Sequence, residues 1–146
     1  PCGSEVAIIA ELMTGIGKPA WISFCCRDAA HLQDGTPVAE AVARFDDLPG
    51  VFALGANCTA PAHISELIRL FRETAPGKRV IVYPNSGEAY HADTKTWSGI
   101  SDPVEFQKMA AEWIASGADI VGGCCRIGPA HIARLRALVD SAVQLR

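Results

Sequence analysis

Two short stretches place cysteine directly after apolar runs that are predicted to be strands. Residues 55–61 contain Cys58, and residues 121–129 contain Cys124 and Cys125 behind two glycines. Because the carboxyl ends of parallel strands meet at one edge of a sheet, the three thiols are expected to lie close together. Soft thiolates select zinc over hard cations, and three protein ligands with an open fourth position are typical of a catalytic zinc site.

The case for a metal differs from thiol to thiol. A lone cysteine is more often a small buried hydrophobe than a ligand, so Cys58 is weak by itself. Cys124 and Cys125 are a sharper signal, because the glycines before them allow a tight turn that brings adjacent side chains to one point. Cys25 and Cys26 lack such glycines, and consecutive side chains at a strand end point in opposite directions, which favours a packing role.

The elements that must position these residues follow a regular order. Apolar strands are predicted at 20–24, 51–54, 80–83 and 119–121, and amphipathic helices are predicted to begin at Ser4, Pro37, Pro61, Asp102 and Pro129. The connection 84–101 is long, and connections of that length are usually functional or disordered. A helix followed by four βα units requires parallel strands with helical crossovers, and so predicts an α/β fold.

Composition narrows the function classes. The chain has 146 residues, 49% of them apolar, which is enough for one domain with a real core. A net charge of −3 without a basic stripe argues against a nucleic-acid partner. No apolar run approaches the ~18 residues of a membrane span, and no secretion signal precedes the first helix, so we expect no membrane partner and a cytoplasmic setting. The chain begins at Pro1, and we expect it to be part of a longer protein.

Four ordered motifs extend over essentially the whole chain. They are Ser23-Phe24 with Arg27-Asp28, Gly55-Ala56-Asn57-Cys58-Thr59, Tyr83-Pro84-Asn85-Ser86-Gly87-Glu88, and Gly122-Gly123-Cys124-Cys125-Arg126. Together they resemble the homocysteine S-methyltransferase family. The third motif, Tyr83 to Glu88, is more similar to the branch that uses S-methylmethionine or S-adenosylmethionine as methyl donor than to the cobalamin-dependent methionine synthases.

This resemblance implies a parallel (β/α)₈ TIM-type barrel, of which residues 1–146 would form the C-terminal half. It places the Zn²⁺ ion on Cys58, Cys124 and Cys125. A barrel of this type needs ~250 residues. An N-terminal half-barrel, or a second chain in its place, is therefore an expected partner.

The resemblance also implies a reaction, the transfer of a methyl group from a sulfonium donor to homocysteine to give methionine. The nucleophile would be the zinc-activated thiolate of the substrate, so no protein side chain is expected to act as a catalytic residue. Four polar residues at strand ends are the expected substrate contacts: Asn57, Tyr83, Asn85 and Glu88.

Two other classes of function stay open from the residues alone. A structural zinc or protein-interaction half-barrel without activity is favoured if a fourth protein ligand completes the tetrahedron. A dithiol redox site at Cys124 and Cys125 is the third reading, although adjacent cysteines lack the C-x-x-C spacing of common oxidoreductases.

Overall fold

The helices and strands alternate along most of the chain. The computed structural model describes residues 2–99 and 101–144. In chain order the elements are α1 (Gly3–Ile16), β1 (Ala20–Phe24), α2 (Val38–Ala43), β2 (Val51–Asn57), α3 (Ile64–Thr74), β3 (Arg79–Tyr83), β4 (Ala89–His91), β5 (Thr96–Ser98), α4 (Pro103–Ala115), β6 (Ile120–Val121) and α5 (Pro129–Gln144). A 3₁₀ turn at Pro61–His63 leads directly into α3.

Four of these strands form a parallel sheet in the order β1, β2, β3, β6. Strands β4 and β5 pair with each other instead, so the parallel sheet keeps the order of the chain. Each neighbouring pair of parallel strands is connected through a helix, and α5 follows the last strand. The predicted α/β fold with a parallel sheet, and the order of one helix followed by four βα units, are confirmed.

One face of the sheet packs against helices. Ile22 pairs with Leu54, which pairs with Val80, and all three side chains are buried. Phe24 on the same face lies between two aromatic rings of the helical layer, with centroids 6.1 Å from Phe45 and 6.3 Å from Phe71. In β1 the buried Ile22 and Phe24 alternate with the exposed Trp21 and the half-buried Ser23, as a strand with one face on a core requires.

The opposite face of the sheet is partly open. Trp21 at one end of β1 is 51% exposed, and Ser23 and Tyr83 are half-buried. Together with Ile120, Gly122 and Ile132, the side chains of Trp21, Ile81 and Tyr83 line an apolar concavity on this face. The concavity lies beside the strand ends that carry the cysteines.

Helix starts agree with the sequence at Asp102 and at Pro129, where α5 begins, and differ at Ser4 and Pro37. Asp102 caps α4 as predicted, because its carboxylate accepts hydrogen bonds from the backbone N–H groups of Val104 and Glu105. The cap of α1 is Cys2 rather than Ser4. Pro37 is the cap of α2 rather than its first helical residue. Among residues 2–99 and 101–144, none of the helices has both the length and the hydropathy of a membrane span.

The long connection between β3 and α4 contains a small antiparallel hairpin. Strands β4 and β5 pair Tyr90 with Trp97, and the two rings lie 5.1 Å apart between centroids. Every residue of both strands is exposed. Period-2 alternation with a buried face is absent here, so the pattern that reveals strands in a sequence is missing.

Candidate metal centre

The first part of the site is the loop that follows β2. Cys58 has a left-handed backbone with φ of 47°, a conformation that residues other than glycine rarely adopt. Its N–H donates to the carbonyl of Tyr83 at 3.2 Å, and its own carbonyl accepts from Asn85 Nδ2 at 3.2 Å. The loop after β3 therefore holds Cys58 in a strained conformation.

The second part is the loop that follows β6. A Cβ atom on Gly123 would lie 2.2 Å from the Ile127 side chain, so the turn before the two cysteines accepts only glycine at this position. The N–H of Cys124 donates to the carbonyl of Pro84 at 2.8 Å. Both cysteine loops are thus hydrogen-bonded to the same segment after β3.

These two loops bring three thiols together. The sulfur atoms of Cys58, Cys124 and Cys125 all lie within 4.8 Å of one another, and no other histidine, cysteine or acidic ligand joins them among residues 2–99 and 101–144. Cys58 and Cys124 are joined as a disulfide. Cys125, which is exposed, has its sulfur 3.4 Å from that of Cys58 and 3.9 Å from that of Cys124.

The donor set fits a zinc ion once the disulfide is reduced. Two sulfur atoms that are each ~2.3 Å from one tetrahedral zinc ion are ~3.8 Å apart. The distances from the Cys125 sulfur to the sulfurs of Cys58 and Cys124 are close to this value. Three soft donors with no oxygen ligand among them disfavour magnesium and calcium. The group offers three ligands and leaves a fourth position for another molecule.

The remaining pair of adjacent cysteines lies close by but outside this group. Cys26 is buried on the helical side of the sheet, and burial raises the pKa of its thiol from 9.0 to about 12. Cys25 is half-buried, and its Sγ lies 3.6 Å from the carbonyl oxygen of Cys58. The two side chains therefore lie in different environments: Cys26 packs in the core, and Cys25 contacts the backbone of Cys58.

Two of the expected substrate contacts face the open side of the sheet. Asn57 and Tyr83 are register partners at the carboxyl ends of β2 and β3. The hydroxyl of Tyr83 makes a hydrogen bond with Ser23 Oγ and accepts a second from Trp21 Nε1 at 3.5 Å. These polar groups border the apolar concavity next to the three thiols.

The other two expected contacts are engaged with the protein. Asn85 donates to the Cys58 carbonyl, and its Oδ1 accepts from the N–H of Gly87 at 2.9 Å. The Glu88 carboxylate is only 6% exposed and accepts from Ser86 Oγ at 2.9 Å and from the Arg126 guanidinium. The ion pair with Arg126, aided by the Ser86 hydroxyl, holds the pKa of Glu88 below its usual range.

Two residues near the site have no functional role predicted from the sequence. Arg126 follows the cysteine pair directly, and that position beside two thiols is the signal that could have identified it. His131 is buried and accepts the Gly128 N–H at Nδ1, so its proton is on Nε2, which donates to Ser101 Oγ. This bond ties the start of α5 to the residue before the cap of α4.

Comparisons with known proteins agree on one family. The family model described as Homocysteine S-methyltransferase matches residues 1–139. The chain is 40% identical over 142 residues to Homocysteine S-methyltransferase YbgG of Bacillus subtilis, covering 97% of this chain and 45% of that protein. It is 40% identical over 139 residues to the Homocysteine S-methyltransferase of Escherichia coli, covering 94% of this chain and 44% of that protein. It is 36% identical over 142 residues to the Selenocysteine methyltransferase of Astragalus bisulcatus, covering 94% of this chain and 41% of that protein.

Solved structures give the same result. The chain superimposes on the oxidised form of the homocysteine methyltransferase MmuM from Escherichia coli with a TM-score of 0.75 and 36% identity, covering 92% of this chain and 41% of that one. The metallated form of the same protein gives a TM-score of 0.74 at the same identity and coverage. The chain thus spans less than half the length of the relatives it matches.

Proposed function

The chain belongs to the homocysteine S-methyltransferase family, and from this premise we propose that it carries the zinc-binding part of a methyltransferase active site. The reaction is the transfer of a methyl group from S-methylmethionine or S-adenosylmethionine to homocysteine, with methionine as the product. The observation that carries the proposal is the convergence of three thiols, and of no other ligand in the described residues, within 4.8 Å of one another.

Cys58, Cys124 and Cys125 would hold the zinc ion. A bound zinc ion would lower the pKa of the homocysteine thiol at the open fourth position, so that homocysteine would be present as a thiolate at neutral pH. The thiolate sulfur would attack the methyl carbon of the donor and form a new carbon–sulfur bond, while the electron pair of the broken methyl–sulfonium bond would stay on the donor sulfur. The thiol proton would pass to solvent as the thiolate forms, so no protein group has to remove it, and the positive charge of the sulfonium would be lost in the methyl transfer.

The residues around the thiols have supporting tasks in this proposal. Asn57 and Tyr83 would contact the substrate from the open face of the sheet, and Asn85 would orient the Cys58 loop through its bond to the Cys58 carbonyl. The carboxylate of Glu88 is already neutralised by Arg126, so it could reach a substrate only through lone pairs that Arg126 and Ser86 leave unused. The apolar concavity would exclude water from the reacting sulfur atoms.

We further propose that the fold is the C-terminal half of a (β/α)₈ barrel that binds homocysteine. The four parallel strands in chain order and the open apolar face support this assignment. An N-terminal half-barrel would supply the other strands and the rest of the site. The three thiols need a reducing environment to bind metal, which is consistent with a cytoplasmic location.

The main rival is a structural zinc or protein-interaction half-barrel, and zinc K-edge absorption separates the two. The reduced, zinc-loaded chain is measured with and without homocysteine. We expect three sulfur neighbours without homocysteine and four with it. Four protein ligands before homocysteine is added, or no change on addition, would favour the structural module and contradict the proposed function.

A further inference from the structure

Arg126 has a backbone conformation that its sequence position does not explain. Its φ is 66°, in the left-handed region that favours glycine, and it follows Cys125 directly. Such conformations persist only where the surrounding structure enforces them, and they cluster at functional sites. Whatever holds Arg126 in this conformation also determines the direction in which the chain leaves the cysteine pair.

The side chain of Arg126 supplies that restraint. Its Nε and one terminal nitrogen donate to the two oxygens of Glu88 at 2.8 and 2.9 Å, the two-bond geometry in which arginine binds a carboxylate most firmly. Glu88 is in turn held by Ser86 Oγ at 2.9 Å. The ring of Trp97 lies on the guanidinium, with its centroid 5.2 Å from the Arg126 Cζ atom.

Two backbone hydrogen bonds also join the segment after β3 to the cysteine pair. Cys124 N–H donates to the Pro84 carbonyl at 2.8 Å, and Ser86 N–H donates to the Cys125 carbonyl at 3.1 Å. The segment after β3 therefore lies alongside Cys124 and Cys125. The Arg126–Glu88 ion pair is the last of the contacts between these two segments. The pair joins residues 38 positions apart in the chain.

We propose that Glu88 and Arg126 are positioning residues of the thiol site. Their ion pair keeps the backbone after Cys125 in the left-handed conformation, and so keeps the Cys124 and Cys125 thiols directed at Cys58. Glu88 acts through Arg126, and the Trp97 ring of the hairpin packs on the Arg126 guanidinium. This inference deepens the proposed function and rests on it, because it assumes that the three thiols act together on one ion.

Binding of Co²⁺ alone to the reduced chain tests the inference. The thiolate-to-cobalt absorption per bound ion reports how many thiolates bind together, and competition with a chelator gives the Kd. Removing a group that orients metal ligands typically weakens metal binding by about 10- to 100-fold. We expect Glu88→Gln and Arg126→Ala each to raise the Kd for Co²⁺ by at least about 10-fold and to reduce the thiolate absorption.

Three further variants make the result specific. The double variant Glu88→Gln/Arg126→Ala should be little worse than either single one, because the two groups act as a unit. Arg126→Lys, which keeps the charge and loses the two-bond geometry, should fall in between. Arg72→Ala breaks another ion pair, with Asp119 at 2.6 Å at the opposite end of the sheet, and should lower the unfolding midpoint without changing the Kd for Co²⁺.

The outcomes are separable. Unchanged Co²⁺ binding in folded Glu88→Gln and Arg126→Ala overturns the positioning role, and so do additive effects in the double variant. Far-UV circular dichroism checks folding, and the nearly isosteric Glu88→Gln carries the test if Arg126→Ala does not fold. If the variants weaken Co²⁺ binding but homocysteine fails to add a sulfur to the zinc of the unsubstituted chain, the positioning role stands and the proposed function fails.

Discussion

At the scale of single residues, the cysteines differ chiefly in what surrounds each thiol. Cys58, Cys124 and Cys125 share one point in space, and Cys125 is exposed to solvent. Cys26 is 3% exposed and lies among apolar side chains, where a charged thiolate is unfavourable. Geometry and burial therefore separate thiols that can bind a metal from a thiol that packs.

The zinc content of single cysteine variants tests which thiols bind the metal. We expect the reduced chain to bind one zinc ion, Cys124→Ser to lose it, and Cys26→Ser to keep it while unfolding at a lower denaturant concentration. The physical reason is that Cys26 contributes packing, whereas Cys124 is a ligand in the proposed zinc site. Cys25→Ser is the matched control at the neighbouring position and should also retain zinc. Equal zinc loss from the Cys124 and Cys26 variants, measured by elemental analysis, would refute the assignment.

The raised pKa of Cys26 predicts a pH dependence of stability. Below pH 9 the thiol is protonated in both the folded and the unfolded chain, whereas between pH 9 and about 12 only the unfolded chain releases the proton. The unfolded state then binds fewer protons, so the free energy of unfolding falls as pH rises, by up to ~1.4 kcal/mol per pH unit for this one group.

Urea unfolding of the reduced chain and of Cys26→Ala between pH 8 and 11 isolates this effect, because the other titrating groups are common to both. The stability advantage of the unsubstituted chain over Cys26→Ala should shrink steadily above pH 9. An advantage that stays constant to pH 11 would mean that the thiol titrates normally in the folded state.

At the scale of elements, the pairing of β2 with β3 decides where Cys58 and Asn85 meet. Gly55 lies in the middle of β2 opposite Ile81, and a Cβ there would be 1.6 Å from the Ile81 carbonyl oxygen. The close approach of the two backbones therefore requires glycine. Continuation of this pairing to Asn57 and Tyr83 brings the two following loops together.

Gly55→Ala should consequently be costly. We expect a loss of at least about 3 kcal/mol in the free energy of unfolding, because a backbone carbonyl cannot move aside as a flexible side chain can. Gly77→Ala is the matched control, since its added Cβ meets nothing within 4 Å, and should change stability by less than about 1 kcal/mol. Comparable stability of the two variants in urea would show that β2 and β3 are not packed this closely.

At the scale of the whole molecule, two apolar surfaces lack a covering layer in the described residues. One is the concavity on the open face of the sheet, which includes Trp21. The other is a stripe along α1 made by Ile8, Leu12 and Ile16, which are 59%, 61% and 55% exposed. Covering a few hundred Å² of apolar surface contributes on the order of 10 kcal/mol, at ~25 cal/mol per Å². Both surfaces have the chemistry that a second half-barrel would bury.

We therefore expect the isolated 146-residue chain to give no measurable methyl transfer from S-methylmethionine to homocysteine as a monomer. Addition of the N-terminal half-barrel of a full-length relative should restore transfer, because it closes the sheet and completes the site. The same half-barrel added to Cys124→Ser is the control and should restore none. Turnover by the monomeric chain alone, at the rate of a full-length relative, would disprove the need for a second half.

The order of the elements, and the edge of the sheet at which the cysteines gather, could be predicted from the residues alone. Helical and strand periodicity are local properties, so the four parallel strands and the cap at Asp102 could be predicted from short windows. The gathering of Cys58, Cys124 and Cys125 follows from topology, because parallel strands present their carboxyl ends at one edge. Neither inference depends on the conformation of a loop.

The contacts between side chains of different loops, in contrast, depend on the packed fold. The pairing of Arg126 with Glu88, the hairpin that places Trp97 over that pair, and the bond between Ser101 and His131 join segments far apart in the chain. Such contacts depend on strand register and on strained loop backbones such as that of Cys58, which no periodic pattern encodes. The convergence of the three cysteines could be predicted because they lie at strand ends, whereas the side-chain contacts around them depend on the packed fold.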